Sequence, residues 1–351
     1  MKCNAKIEKI SNFYGRPIYY INKPIPLIGH IAFGIIDRGT NVLQVRPSTL
    51  CFHNCIFCSV DAGPNSKFRE SEYIVNEEWL AEWVNDVANV KNEDIEVLID
   101  GVGEPISHPK ILKLISLIKK IKNVKTISIE THGGSLSLQL AKKLEEAGLN
   151  RINLSIDSIN SENAKKLSGT EWYDVNKILK NASEILKETN IDIVLTPVVI
   201  PEINEKDMDL IIEWAKENHA GEKSNYPSGI LIQKFEIHHF GRKPEKIKVW
   251  SWGKFYSWLK ILQEKHNYRL IVKPEELGFK DSAKLEKPFH VNDIVKSTII
   301  GNGWLKNEYL ATDENCIRII SIISKEDLMI GSKVKTKIIR DKDNIFLGKL
   351  Y

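Results

Sequence analysis

Between residues 41 and 262, short runs rich in β-branched residues alternate with longer stretches whose apolar residues return every three or four positions. This alternation predicts repeated βα units around a parallel sheet. Six strands are expected, at Asn41–Arg46, Ile95–Asp100, Thr126–Glu130, Arg151–Asp157, Ile191–Val199 and Gly229–His238, each followed by a helix. In Pro109–Ile121, the proline suits a first-turn position and Ile111, Leu114, Ile115 and Ile118 form one stripe, with the lysines elsewhere. Similar stripes run through Glu78–Val90, Leu138–Ala147, Val175–Leu186, Asp207–Trp214 and Trp252–Leu262. The fold class expected is α/β, a partial (β/α)6 TIM-like barrel with one side open to a large substrate.

After Pro274 the helical stripes stop, and short strands return with glycine punctuation at Gly301, Gly303, Gly331 and Gly348. Strands at Ile294–Gly303, Glu308–Ala311, Cys316–Ile323 and Gly331–Arg340 predict a separate small β-barrel, which resembles a TRAM-like or OB-like domain. The resemblance implies RNA contact. The last of these strands alternates Lys333, Lys335 and Lys337 with Val334, Thr336 and Ile338, so one face is cationic and the other partly apolar. Such a face suits a phosphate backbone, although charged residues also protect exposed edge strands. Residues 1–40 carry Lys2, Lys6, Lys9, Arg16, Lys23 and Arg38 against Glu8 and Asp37, and read as an extension covering part of the barrel. The expected domains are 1–40, 41–275 and 285–351.

Composition narrows the class without naming a reaction. With 351 residues, 42% of them hydrophobic, the chain can bury a large core. The net charge of +4 tolerates a polyanionic partner but does not imply one. Leu27–Ile36, the longest apolar stretch near the start, contains His30 and is about half of what a spanning helix needs. The expectation is a cytoplasmic protein with no membrane partner.

Candidate chemistry begins with Cys51-Phe-His-Asn-Cys55-Ile-Phe57-Cys58, three cysteines in eight residues, where the whole chain has five. Three thiolates so close can hold three corners of a four-iron cluster and leave the fourth iron open, since neither Cys3 nor Cys316 stands at a ligand spacing. Rival readings are a disulfide pair with a spare thiol, or a zinc site completed by His53 or a distant residue. The spacing, with an aromatic just before the last cysteine, resembles the cluster loop of the radical S-adenosylmethionine (SAM) superfamily. That resemblance implies a [4Fe-4S] cluster whose open iron binds SAM, cleavage of SAM to a 5′-deoxyadenosyl radical, and hydrogen abstraction from a substrate. It also implies a ferredoxin- or flavodoxin-type reductant.

The later motifs follow in the order the resemblance implies. Asp100-Gly101-Val-Gly103-Glu104-Pro105 ends the second predicted strand and resembles the motif that binds SAM's amino group, with Gly103 and Glu104 as the matching residues. Glycines let the backbone approach a ligand, and a carboxylate accepts from an ammonium donor. Glu130 and Thr131 end the third strand, and Ser155 and Asp157 the fourth; by the resemblance they contact the ribose and carboxylate of SAM. Phe57 matches the aromatic near the adenine, with Pro197 and Val198 as an apolar wall. His238 and Arg242 follow the sixth strand as substrate candidates, Arg242 through its planar fork.

Two spare cysteines are too few for an auxiliary cluster, and about 40 residues before the first barrel strand are too few for a cobalamin domain. Cys316 reads as a buried strand cysteine. The leading expectation is modification of RNA, with tRNA first. The alternatives are modification of a protein or small metabolite, and a non-catalytic iron–sulfur or zinc RNA-binding protein.

Overall fold

The computed structural model describes residues 5–351, so Lys2 and Cys3 lie outside the described residues. In chain order its elements are β1 (Glu8–Phe13), β2 (Arg16–Ile21), β3 (Gly34–Asp37), β4 (Val42–Arg46), β5 (Glu72–Val75), α1 (Glu77–Lys91), β6 (Ile95–Ile99) and α2 (Ile111–Ile118). There follow β7 (Val124–Thr131), α3 (Leu138–Ala147), β8 (Arg151–Leu154), α4 (Ser161–Ser168), α5 (Val175–Glu188), β9 (Asp192–Leu195), β10 (Val198–Val199), α6 (Asp207–Glu217), β11 (Gln233–Lys234) and α7 (Trp252–His266). The chain closes with β12 (Ile294–Asn302), β13 (Glu308–Asp313), β14 (Ile319–Ile323), β15 (Lys333–Arg340) and β16 (Leu347–Leu350).

The principal sheet has six strands in the order β3-β4-β6-β7-β8-β9, so the fold is the α/β partial barrel expected, with a small closed barrel, β12-β13-β14-β16-β15, at its C-terminal end. The strand set differs at both margins. β3, from the supposed extension, pairs antiparallel with β4, while β4–β6, β7–β8 and β8–β9 are parallel. The expected sixth strand survives only in pieces. Leu195 bridges Ile230, and β10 then pairs with β11 over two residues, because Pro197, which has no N–H for the ladder, breaks the fifth strand before Val198.

The described chain forms two compact units: one takes residues to Cys51, Ser66–Lys125 and Asp281–Tyr351, the other Phe52–Asn65 and Thr126–Lys280. Helices of the second unit show why the sequence pattern was readable. α5 buries Val175, Ile178, Leu179, Ala182, Ile185 and Leu186, and the Asp174 side chain caps it by accepting from the Lys177 N–H. α4 went unpredicted because an eight-residue, lysine-rich segment with three buried positions shows little periodicity.

In the first unit, β1, β2 and β5 make a three-stranded sheet. The amino-terminal segment also docks on the small barrel: the Ile319 N–H donates to the Ile28 carbonyl at 2.9 Å and the Phe346 N–H to the Gly29 carbonyl at 3.0 Å. Gly29, at φ +129°, is required there, since a Cβ would overlap the Ile319 backbone. The barrel interior is Val295, Ile299, Ala311, Ile320, Ile322, Ile338 and Phe346. Its closing strand, β16, was not expected. Cys316 is not a buried strand residue; it lies partly buried in the turn before β14, at φ +53°, and is disulfide-bonded. Among the described residues no helix is long and apolar enough to cross a membrane.

Candidate active site

The cysteine loop is divided between the units, with Cys51 in the first and Cys55 and Cys58 in the second. In the second unit the loop lies along the end of α4: the Asn54 N–H donates to the Ser168 carbonyl at 2.9 Å and the Ile56 N–H to the Leu167 carbonyl at 3.0 Å. Arg242 holds its other side. The Arg242 backbone N–H donates to the Cys58 carbonyl at 2.8 Å, and its Nε donates to the Cys55 carbonyl at 2.7 Å. Nη1 meets the Asp61 carboxylate at 3.2 Å, and Nη2 donates to the Ala62 carbonyl. Arg242 therefore departs from its expected role. Its fork grips the loop backbone and a buried carboxylate instead of reaching for a substrate anion.

Cys51, Cys55 and Cys58 are all free thiols. Cys58 Sγ accepts the Ala62 N–H at 3.2 Å. Cys55 Sγ lies 3.7 Å from His132 Nε2. Burial, then the neighbouring Cys58 and Asp157, push the Cys55 thiol well above its usual range, with Arg242 opposing. A thiol so placed ionises when a cation takes up the charge, which is what coordination to iron provides. The donor set thus fits an iron–sulfur cluster. Among the described residues no three His, Cys, Asp or Glu groups gather around one ion-sized point, and a four-iron cluster does not require it, because each thiolate takes a different iron.

In the first unit, the segment before Cys51 packs on the glycine motif. A Cβ on Gly103 would overlap the Thr49 and Leu50 carbonyls, and the Glu104 N–H donates to the Leu50 carbonyl at 2.7 Å. Gly103 thus serves close approach between two backbone segments, and the Glu104 side chain is buried. Arg69, absent from the sequence reading, ties the two motifs together. It donates to the Thr49 carbonyl at 2.9 Å and to the Val102 carbonyl, and pairs with Glu72 at 3.1 Å. Asp100 is held by a bidentate Arg46 at 3.1 and 3.0 Å and by Gln44 at 2.9 Å.

The strand-end residues of the second unit have several partners already. Thr131 Oγ1 accepts the Gly133 N–H at 2.9 Å, which closes the turn after β7. Ser155 Oγ lies 3.3 Å from Thr196 Oγ1, and Asp157 accepts the Val198 N–H at 2.8 Å. Burial raises the Asp157 carboxyl above its ordinary value, with His132 and the Val198 amide acting against it. Asp157, His132, Leu167 and Tyr173 line a small recess. Glu130 is half-buried. Phe57 sits with Cys55, Leu167, Ile200 and Phe235 in an apolar cluster that Val198 adjoins.

His132 is the residue the sequence reading passed over. Besides facing Cys55, its ring lies 4.8 Å from that of His53, which Trp172 and Tyr173 also surround at 5.0 and 5.5 Å. Burial first and His132 second push His53 down to about 2, so it stays neutral at working pH. His238 stands exposed on a loop, accepting the Gly241 N–H at 3.1 Å through its carbonyl. Lys333, Lys335 and Lys337 lie on β15 in the first unit, away in sequence from every residue above.

Comparison with known proteins bears on this arrangement. The family model described as the radical SAM superfamily matches residues 45–215. The uncharacterized protein MJ0103 of Methanocaldococcus jannaschii is 36% identical over 353 residues, covering 95% of this chain and 81% of that protein. A GTP 3′,8-cyclase of Alkaliphilus oremlandii is 27% identical over 219 residues, 58% of this chain and 65% of the cyclase, so the chain matches just under two thirds of that relative. Among solved structures, native anSMEcpe with bound AdoMet superposes with a TM-score of 0.51 at 18% identity, over 77% of this chain and 73% of that one. At that identity the likeness speaks for the fold.

Proposed function

The chain belongs to the radical SAM superfamily, and on that premise we propose that it cleaves SAM at a cluster held by Cys51, Cys55 and Cys58 in order to modify RNA. The observation that carries the catalytic part is the loop itself: three free thiols in eight residues, within the matched family segment and gripped by Arg242. When bound, the cluster supplies the electron that splits SAM into methionine and a 5′-deoxyadenosyl radical.

The protein's own task is to position and to exclude water. Gly103 and Glu104 follow β6 and would hold the amino group of SAM, while Glu130, Thr131, Ser155 and Asp157 would hold its ribose and carboxylate. Phe57 and Val198 supply apolar surface for the adenine. Arg242 and Asp61 keep the loop carbonyls of Cys55 and Ala62 in place, so that two of the three thiols are presented from a fixed backbone. A ferredoxin- or flavodoxin-type protein would deliver the electron.

The RNA part rests on the C-terminal barrel and its cationic β15. The likeness to GTP 3′,8-cyclases favours a second reading, a nucleotide-sized metabolite as substrate. One anaerobic experiment separates them: reconstituted enzyme with dithionite and SAM, assayed for 5′-deoxyadenosine alone, with total cellular tRNA, and with a nucleotide pool. Stimulation by tRNA and an altered nucleoside in its digest support the first reading. Stimulation by nucleotides alone supports the second.

A further inference from the structure

The outer face of the C-terminal barrel holds more charge than β15 alone. In the β12–β15 pairing, Lys296 stands opposite Lys335, Ile294 opposite Lys337 and Thr298 opposite Lys333. In the β15–β16 pairing, Lys337 stands opposite Lys349 and Thr336 opposite Leu350. One step further, the Tyr351 N–H donates to the Lys335 carbonyl at 2.9 Å, which sets Tyr351 beside Lys335. The intervening residues Val295, Ser297, Thr336, Ile338 and Gly348 are buried, so Lys296, Lys333, Lys335, Lys337, Lys349 and Tyr351 share the outward face of three adjacent strands.

Four features set this face apart from an ordinary solvated surface. Like charges directly opposite each other in an antiparallel pair are destabilising, and here that happens twice, at Lys296–Lys335 and Lys337–Lys349. Among the described residues none of the five lysines forms an ion pair. Nor do they guard an open edge, because the barrel is closed and β15 is hydrogen-bonded on both sides. Exposed aromatic and apolar groups lie within the same grid: Tyr351 is 71% exposed and Ile294 48%.

We propose that the outer face of β12, β15 and β16 binds single-stranded RNA, the lysines tracking its phosphates and Tyr351 stacking on a base. The inference deepens the RNA reading above and rests on it for the identity of the polymer. Lysines two residues apart on a strand recur about every 6.8 Å and those on neighbouring strands about every 4.8 Å, the scale on which an extended single strand presents successive charges. A basic track with an aromatic platform is how single strands are held without sequence preference. A duplex would use the lysines but not the tyrosine.

The test is fluorescence anisotropy with the full-length chain and a labelled oligouridylate of about 12 nucleotides, without SAM or reductant, over a range of salt. The comparison set is Lys335→Gln/Lys337→Gln, Tyr351→Ala and the control Lys260→Gln on α7, with circular dichroism to verify folding. Losing two lysines should weaken binding about tenfold or more and reduce the salt slope by about 1.4. Tyr351→Ala should weaken it about fivefold or more at an unchanged slope, and the control should match wild type. Absence of binding, equal binding by all four proteins, or equally tight binding of polyglutamate or anionic lipid vesicles would overturn the proposal. If RNA binds here yet no nucleoside is altered, the face stands and the substrate reading falls. If RNA is altered while the variants bind it like wild type, the face falls and the substrate reading stands.

Discussion

Around Cys55 the polar groups are engaged with one another, whereas on the outer face of β12, β15 and β16 five lysines have no ionic partner among the described residues. The first arrangement is that of a site whose backbone must not move. Arg242 meets two carbonyls and a carboxylate that is 1% exposed, and each contact fixes part of the loop that carries Cys55 and Cys58. The second arrangement gives up a little stability to keep charge available. On the reading proposed above, burial and mutual satisfaction serve chemistry, while exposure and mutual repulsion serve recognition.

The largest expected effect removes the chemistry outright. Cys55→Ala should lose the cluster and lower 5′-deoxyadenosine formation by at least about a thousandfold, which is about 4 kcal/mol of barrier. Iron content and product chromatography check this, and oligouridylate binding should survive the substitution if the two regions have separate tasks.

Next in size is Arg242→Ala. It removes the Arg242 guanidinium from the buried Asp61 carboxylate, and breaking a buried pair in this way costs about 3–5 kcal/mol. Urea unfolding should show the loss, cluster retention should fall with it, and Arg242→Lys should recover only part of each, because an ammonium cannot reproduce three directed bonds. An Arg242→Ala protein with unchanged stability and iron content would remove the contrast between the regions.

Lys335→Glu sharpens the comparison from the other side. It converts the like-charge pair with Lys296 into an opposite-charge pair, worth about 0.2–1 kcal/mol, so the melting temperature should rise slightly while RNA binding falls. A falling melting temperature would contradict the claim that this face is held in electrostatic tension.

The smallest effect concerns Glu308, which in the barrel accepts the N–H groups of Trp304 and Leu305 at 3.0 Å each and lies 3.4 Å from His30. Burial alone would raise its carboxyl, but His30, Ser321 and the Leu305 amide outweigh it and hold the value below 4.5. Its stabilisation is therefore present above pH 4.5 and lost as pH falls through the lowered folded value. Glu308→Gln should flatten the acid limb of a stability profile below pH 4.5 and leave the neutral region nearly parallel to wild type.

Much of this organisation was legible in the sequence because it is periodic. Leu138–Ala147 was placed to the residue, and the outward lysines of β15 followed from simple alternation. What escaped has no local signature. The acceptors of Arg242 are carbonyls about 180 positions away, and any residue carries a carbonyl. Arg69 likewise meets Thr49 and Val102 through their backbone. The sixth strand was over-read because the consequence of Pro197 falls on the neighbouring segment, and β16 was missed because Leu-Gly-Lys-Leu is too short to show a pattern. His132 directly follows Thr131 in the sequence, but only the fold aims its ring at Cys55.

The most direct test of the account is electron paramagnetic resonance of the anaerobically reconstituted, dithionite-reduced protein before and after addition of SAM, with iron and sulfide measured on the same sample. The expected result is about four irons per chain and a cluster signal that SAM reshapes, both lost in the variant lacking Cys51, Cys55 and Cys58. A protein that takes up zinc instead, or a cluster whose signal SAM leaves unchanged, would contradict it.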